Sequence, residues 1–153
     1  MSDGIRNIEK GNTEVIAEYI KELTNADIFK VEPINEYPYK YKECTNVALK
    51  DKNQNARPKL KKYLEDINDY DIIYIGYPNW WGTMPMPMFS QLEKLNFNGK
   101  TVKPFCTHEG SRMGNSENDI KNICKGATVL PGLPIRGSIV NDAKNEVEKW
   151  INK

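Results

Sequence analysis

From Thr13 onward the apolar residues Val15, Ile16, Tyr19, Ile20 and Leu23 recur at the spacing of one helix face, and Asn12 or Thr13 stands where a side chain would cap the first turn. Ala26 to Val31 then reads as a short strand, closed by Pro33. Between Tyr37 and Tyr70 the chain is polar and predicts a second helix that ends before, or breaks at, Pro58, with Lys59, Lys61 and Lys62 as a solvated face. Asp71 to Tyr77 is a continuous β-branched and aromatic run, the pattern of a strand buried on both faces of a parallel sheet, and is expected to be central.

A helix starting near Met86 or Pro87 would put Met88, Phe89, Leu92 and Leu95 on one face, with proline tolerated in its first turn. Gly99 leads into a strand over Thr101 to Cys106, followed by a helix over Ser116 to Ile123. A last strand spans Ala127 to Ile135, interrupted by Pro131 and Pro134. The final helix covers Val140 to Ile151, with Val147, Trp150 and Ile151 inward. Strands and helices alternate without linker, repeat or low-complexity tract, which predicts one α/β domain over residues 1–153 with a mostly parallel sheet. Before the first helix, Met1 to Lys10 offers only Met1, Ile5 and Ile8 as apolar residues, so the opening strand such a sheet needs is weak or missing.

Composition narrows the function classes. The chain carries 22 basic and 21 acidic side chains, so no strong field draws nucleic acid or an anionic membrane as primary partner. No apolar run approaches the roughly 20 residues of a membrane span. The opening MSDGIRNIEKGNTE lacks the apolar core of a secretory signal, and the expected location is cytoplasmic. Three cysteines, Cys44, Cys106 and Cys124, form no C-x-x-C pair and suit a reducing compartment; Cys106 reads as a buried, inert thiol.

In open α/β sheets ligands bind beyond the carboxyl ends of the strands. Three segments fall there. Lys10-Gly11-Asn12-Thr13 precedes the first helix, whose free N–H groups favour a phosphate; a plain cap with a turn glycine is the bland alternative. Pro78-Asn79-Trp80-Trp81-Gly82-Thr83 puts two adjacent indoles on a loop after a strong strand, where they offer flat faces to a planar ring unless they fold back onto the core. Thr107-His108-Glu109-Gly110-Ser111, running on to Asn115, combines glycines with hydroxyl and charged groups. His108, the single histidine, excludes a multi-imidazole metal site and leaves open a proton donor or a surface or capping residue. Hydrolase triads, G-x-S-x-G and G-x-x-x-x-G-K-[ST] are absent.

The stretches GNTEVIAEYI (11–20), IIYIGYPNWWGTMPMP (72–87), PFCTHEGS (104–111), GNSENDIK (114–121) and LPIRGS (133–138) resemble the flavodoxin family, in particular its short flavodoxin-like, NAD(P)H–quinone oxidoreductase-type branch. The resemblance implies a three-layer fold with a parallel five-stranded sheet in order 2-1-3-4-5 and FMN at the switch point. It assigns Gly11, Asn12 and Thr13 to the phosphate. Pro78, Asn79, Trp80, Trp81 and Gly82 would line one side of the isoalloxazine, and Thr107, His108, Glu109, Gly110 and Ser111 the other edge.

The chain departs from the family at its start. Where members carry an apolar strand and Ser/Thr-x-Thr-Gly-Asn-Thr, it has Ile8-Glu9-Lys10-Gly11-Asn12-Thr13: two phosphate-binding hydroxyls are gone, and Lys10 offers a compensating positive charge. Three accounts of the weak strand are open: a displaced start, a weakly paired Gly4 to Ile8, or a homodimer partner covering the gap. Two functions follow. One is an FMN-binding redox protein, either an electron carrier or a small quinone-type reductase served by NAD(P)H or a redox partner protein. The other is a degenerate flavodoxin-like scaffold that has lost FMN and serves as a binding or assembly module.

Overall fold

The computed structural model describes residues 11–38 and 41–153, with the backbone alone at Tyr41. The opening residues and Lys10 lie outside these, and with them the question of the first strand. Helix α1 covers Asn12–Thr24, α2 Tyr41–Asn53, strand β1 Ile72–Pro78, α3 Met86–Leu92, β2 Thr101–His108, α4 Ser116–Ile123, β3 Thr128–Val129, β4 Leu133–Arg136 and α5 Lys144–Ile151; a 3-10 turn over Gly137–Asp142 joins β4 to α5. The fold is α/β with a parallel sheet and helices on both faces.

All described ladders are parallel. β1 pairs β2 from Ile72↔Thr101 to Pro78↔Thr107, and β2 carries β3 and β4 in succession on its other edge. β3 and β4 are thus one strand in two pieces; the expected break falls at Pro131, whereas Pro134 stays within β4, opposite Cys106. Leu130 still donates to the Val102 carbonyl at 2.9 Å. Pro131 has no N–H to give, and the Gly132 N–H turns away to the Glu117 carboxylate at 2.7 Å. This three-deep array corresponds to the 3-4-5 half of the expected order.

One expectation changes. Ala26 to Val31 forms no ladder; its Asp27, Ile28 and Lys30 are exposed, and the bridge near it is the isolated antiparallel Pro33↔Leu60 pair. The most buried strand is β2: residues Val102 to His108 are all buried, whereas Ile72 at the head of β1 is 48% exposed. β2 has a neighbour on each edge, while β1 has one among the described residues.

Two apolar clusters flank the sheet. On one face Ile75 and Tyr77 of β1 and Val102 and Cys106 of β2 meet Met86, Phe89 and Leu92 of α3 and Ile120 of α4. On the other, Phe105, Leu133 and Ile135 meet Ile16 and Ile20 of α1 and Val147 and Trp150 of α5. The i, i+4 pair Ile16 and Ile20 explains why α1 lies flat on that face. Phe105 sits opposite Gly76 across the ladder, and its ring occupies the place a side chain at position 76 would need. Burial pushes the Cys106 thiol up to about 12, as expected of an inert core cysteine.

Candidate functional site

The carboxyl ends of β1, β2 and β4 and the N-terminus of α1 come together at one edge of the sheet. α1 begins after Gly11 in extended conformation, and no side chain caps it. Neither Asn12 nor Thr13 is the cap that spacing predicts. Thr13 is the second residue of the helix, and its hydroxyl meets that of Thr107, at the end of β2, at 2.8 Å. A Cβ on the exposed Gly11 would meet nothing within 4 Å among the described residues, and none of them closes the approach to the helix end. Asn12 Nδ2 lies 2.6 Å from where a Cβ on Gly137 would sit, and the Glu109 carboxylate reaches the same place. Both therefore stand over the start of the 3-10 turn.

After β1 the chain makes a tight turn. Trp80 N–H donates to the Thr83 carbonyl at 2.9 Å, and the two central residues, Trp81 (φ 55°) and Gly82 (φ 87°), are both left-handed. That combination suits glycine and strains a bulky aromatic. The strained residue is held from outside: Trp81 Nε1 donates to the Thr45 carbonyl of α2 at 2.8 Å, and Lys52 Nζ donates to the Trp81 carbonyl at 2.5 Å. Trp81 stays 45% exposed. Trp80 is half-buried and meets Tyr37 edge-on, ring centroids 4.9 Å apart. Neither indole joins the two core clusters.

Thr107 and His108, expected on a loop, close β2 instead and are buried, because the ladder to β4 runs two residues further than the apolar run. Gly110 N–H donates to His108 Nδ1 at 2.9 Å, so the neutral ring carries its proton on Nε2. Burial first, then the guanidinium charges of Arg136 and Arg112, hold its pKa below the usual histidine value. His108 is therefore a buried neutral imidazole rather than a surface residue. Glu109, Gly110 and Ser111 follow as an exposed turn, with Arg136 Nη1 donating to the Glu109 carbonyl at 3.1 Å.

Pro78 ends β1 opposite Thr107, and Asn79 next to it joins the loops: its N–H donates to the Thr107 carbonyl (2.8 Å), its Nδ2 to the Arg112 carbonyl (2.6 Å), and its Oδ1 accepts from Gly82 N–H (2.9 Å). The sequence reading placed Asn79 at a ligand and missed this second task, along with Thr45, Lys52 and Tyr37 behind the tryptophans. An asparagine directly after a strand was the available signal. Among the described residues no cluster of His, Cys, Asp or Glu could hold a metal ion, and no helix is long and apolar enough to cross a membrane.

Known proteins share this architecture. A crystallised proposed flavoprotein from Bacteroides uniformis superposes with a TM-score of 0.79 at 27% identity, over 95% of this chain and 94% of that one. A second, from Bacteroides eggerthii, gives 0.76 at 26% identity over 95% and 91%. A flavoprotein of Lactobacillus acidophilus crystallised in complex with FMN shares the fold with a TM-score of 0.66 at 23% identity, over 85% and 89%. No curated protein sequence matches the chain. The flavodoxin family model matches residues 8–153, and the chain belongs to the flavodoxin family.

Proposed function

We propose that the chain binds FMN at this edge and works as a redox protein. One observation carries the reading: an open, uncapped N-terminus of α1, joined through the Thr13–Thr107 hydroxyl pair to the same sheet edge that presents the two tryptophans and the glycine turns. The residues fit the group. Gly11 leaves room for a phosphate beside N–H groups at the positive end of the helix, and Gly82 likewise has nothing within 4 Å of where a Cβ would stand. Gly11, Asn12, Thr13 and, from outside the described residues, Lys10 would hold the phosphate. Pro78, Asn79, Trp80, Trp81 and Gly82 would face the ring from one side, and Thr107, His108, Glu109, Gly110 and Ser111 from the other.

Flavin supplies one- and two-electron chemistry when bound; the protein supplies orientation and a field. His108 in its neutral form offers an Nε2–H donor without adding charge. Uncharged, it neither strengthens nor opposes a phosphate. A formal net charge of +1 suits a small reductase of quinone-like acceptors, fed by NAD(P)H or a redox protein, better than a highly acidic carrier. Its three cysteines are free, which supports the cytoplasmic placement. The FMN complex of the Lactobacillus acidophilus protein supports the cofactor by shared fold.

Titration of the purified chain with FMN, followed by flavin and tryptophan fluorescence, tests the reading. Micromolar or tighter binding is the expected result. Absence of binding, together with binding by a chain given an apolar strand and Ser-x-Thr before Gly11, would favour the scaffold function for the chain as it stands.

A further inference from the structure

We infer that Gly114, which is not among the residues assigned above to the cofactor, is a positioning residue that fixes the tryptophan turn against the loop after β2 and so sets the ring end of the site. This inference rests on the FMN reading. Gly114 has φ 55°, and a Cβ there would come within 2.5 Å of the Gly82 carbonyl oxygen and 2.9 Å of Gly82 C and Cα. The contact is backbone against backbone, so no side chain can yield. The next residue uses the same approach: Asn115 N–H donates to that Gly82 carbonyl at 2.6 Å. Two further ties close the joint, from Asn79 Nδ2 to the Arg112 carbonyl at 2.6 Å and between the Thr83 hydroxyl and the Asp119 carboxylate at the start of α4.

α4 is itself fixed to β1. Tyr77 hydroxyl donates to Ser116 Oγ at 2.8 Å, and Ser116 Oγ donates to the Met113 carbonyl at 2.5 Å, all within the core. The loop after β2 is therefore anchored on a buried strand and helix. The turn at Trp81 and Gly82, strained in the left-handed region, stays in place because both this joint and α2 are bonded to it. Only glycine at 114 permits both the positive φ and the approach to Gly82.

Gly114→Ala tests the role against Gly99→Ala, which adds a methyl at φ 78° with nothing within 4 Å, remote from the site. Both variants share the backbone strain, and only the first drives the loops apart. We expect Gly114→Ala to weaken FMN binding by about ten-fold or more and to shift the absorption band of the bound flavin, with Gly99→Ala within about two-fold of the parent. Thr83→Val, which removes one tie and keeps the glycine, should move binding in the same direction by a smaller factor, and it serves if Gly114→Ala does not fold. Amide exchange without flavin separates this inference from the FMN reading. Gly114→Ala should raise exchange at Gly82 and Asn115 together, even if the parent binds no FMN. Parent-like binding in Gly114→Ala, or unchanged exchange at Gly82, would overturn the assignment.

Discussion

At the end of the site proposed for the flavin ring, Asn79 alone ties β2, the Gly82 turn and the Arg112 loop, and Trp81 is bonded twice to α2. At the phosphate end, α1 opens without a side-chain cap, and among the described residues its hydrogen-bonded link across to the sheet is one hydroxyl pair, Thr13 with Thr107. The first end is preorganised: its polar groups already have partners, so a planar ring would meet a formed surface. The second relies on backbone N–H groups and a helix dipole, which any anion of the right size can use. Departures from the family pattern are concentrated at the second, where lost hydroxyls remove contacts without dismantling a network.

The strongest way to break the comparison is to damage the platform both ends share. Gly76→Ala would force a methyl into the ring of Phe105, a buried aromatic held between α1 and α5, and overpacking of this kind costs about 1–3 kcal/mol. Urea unfolding should show the loss, and residual FMN and riboflavin binding should fall together. Unchanged stability would mean the sheet relaxes locally and that the ends are less rigidly connected than the ladder implies.

Trp81→Ala addresses the ring end alone. Loss of a stacking face should weaken FMN and riboflavin alike by about ten- to hundred-fold, in keeping with the 1–3 kcal/mol that aromatic stacking on a base contributes. If the variant bound FMN as tightly as the parent, the indole would serve only its bond to α2. Thr13→Val then addresses the phosphate end. Removing the hydroxyl that meets Thr107 should weaken FMN by about three- to ten-fold, the value of one net hydrogen bond, and leave riboflavin unaffected. Equal losses for both flavins would mean that Thr13 supports the sheet edge and not a phosphate.

The contrast also shows which parts were legible in the sequence. Helices α1, α4 and α5 and strands β1 and β2 were visible because a single apolar stripe or a β-branched run marks each. The broken last strand was visible because Pro131 lacks an N–H group, whereas Pro134 is carried within β4. The ring-end loops stood out by residue type, two tryptophans beside glycine. What the sequence hid was non-local. Whether Ala26 to Val31 forms a ladder depends on a neighbouring strand. β2 runs on through Thr107 and His108 because β4 pairs there, which buries a histidine that the sequence leaves open as a proton donor or a surface or capping residue. The joint between Gly82 and Gly114 links positions 32 residues apart in the chain, and each glycine separately looks like an ordinary turn.

The smallest effect expected concerns His108, which lies beside both ends. Its folded pKa is held below its unfolded value by burial and by Arg136 and Arg112, so the folded protein binds a proton less readily than the unfolded chain. The sign follows: its contribution to stability is complete above the unfolded value of about 6.5 and is lost as pH falls through the lower folded value. His108→Asn keeps an acceptor for the Gly110 N–H but does not titrate. Thermal midpoints measured from about pH 7 to pH 5 should fall more steeply in the parent than in this variant. Parallel profiles would mean that the loop opens on protonation, so that water reaches the ring and Arg136 and Arg112 move away from it. A charge at His108 would then be tolerated, and the ring-end loop would be softer than its hydrogen bonds indicate.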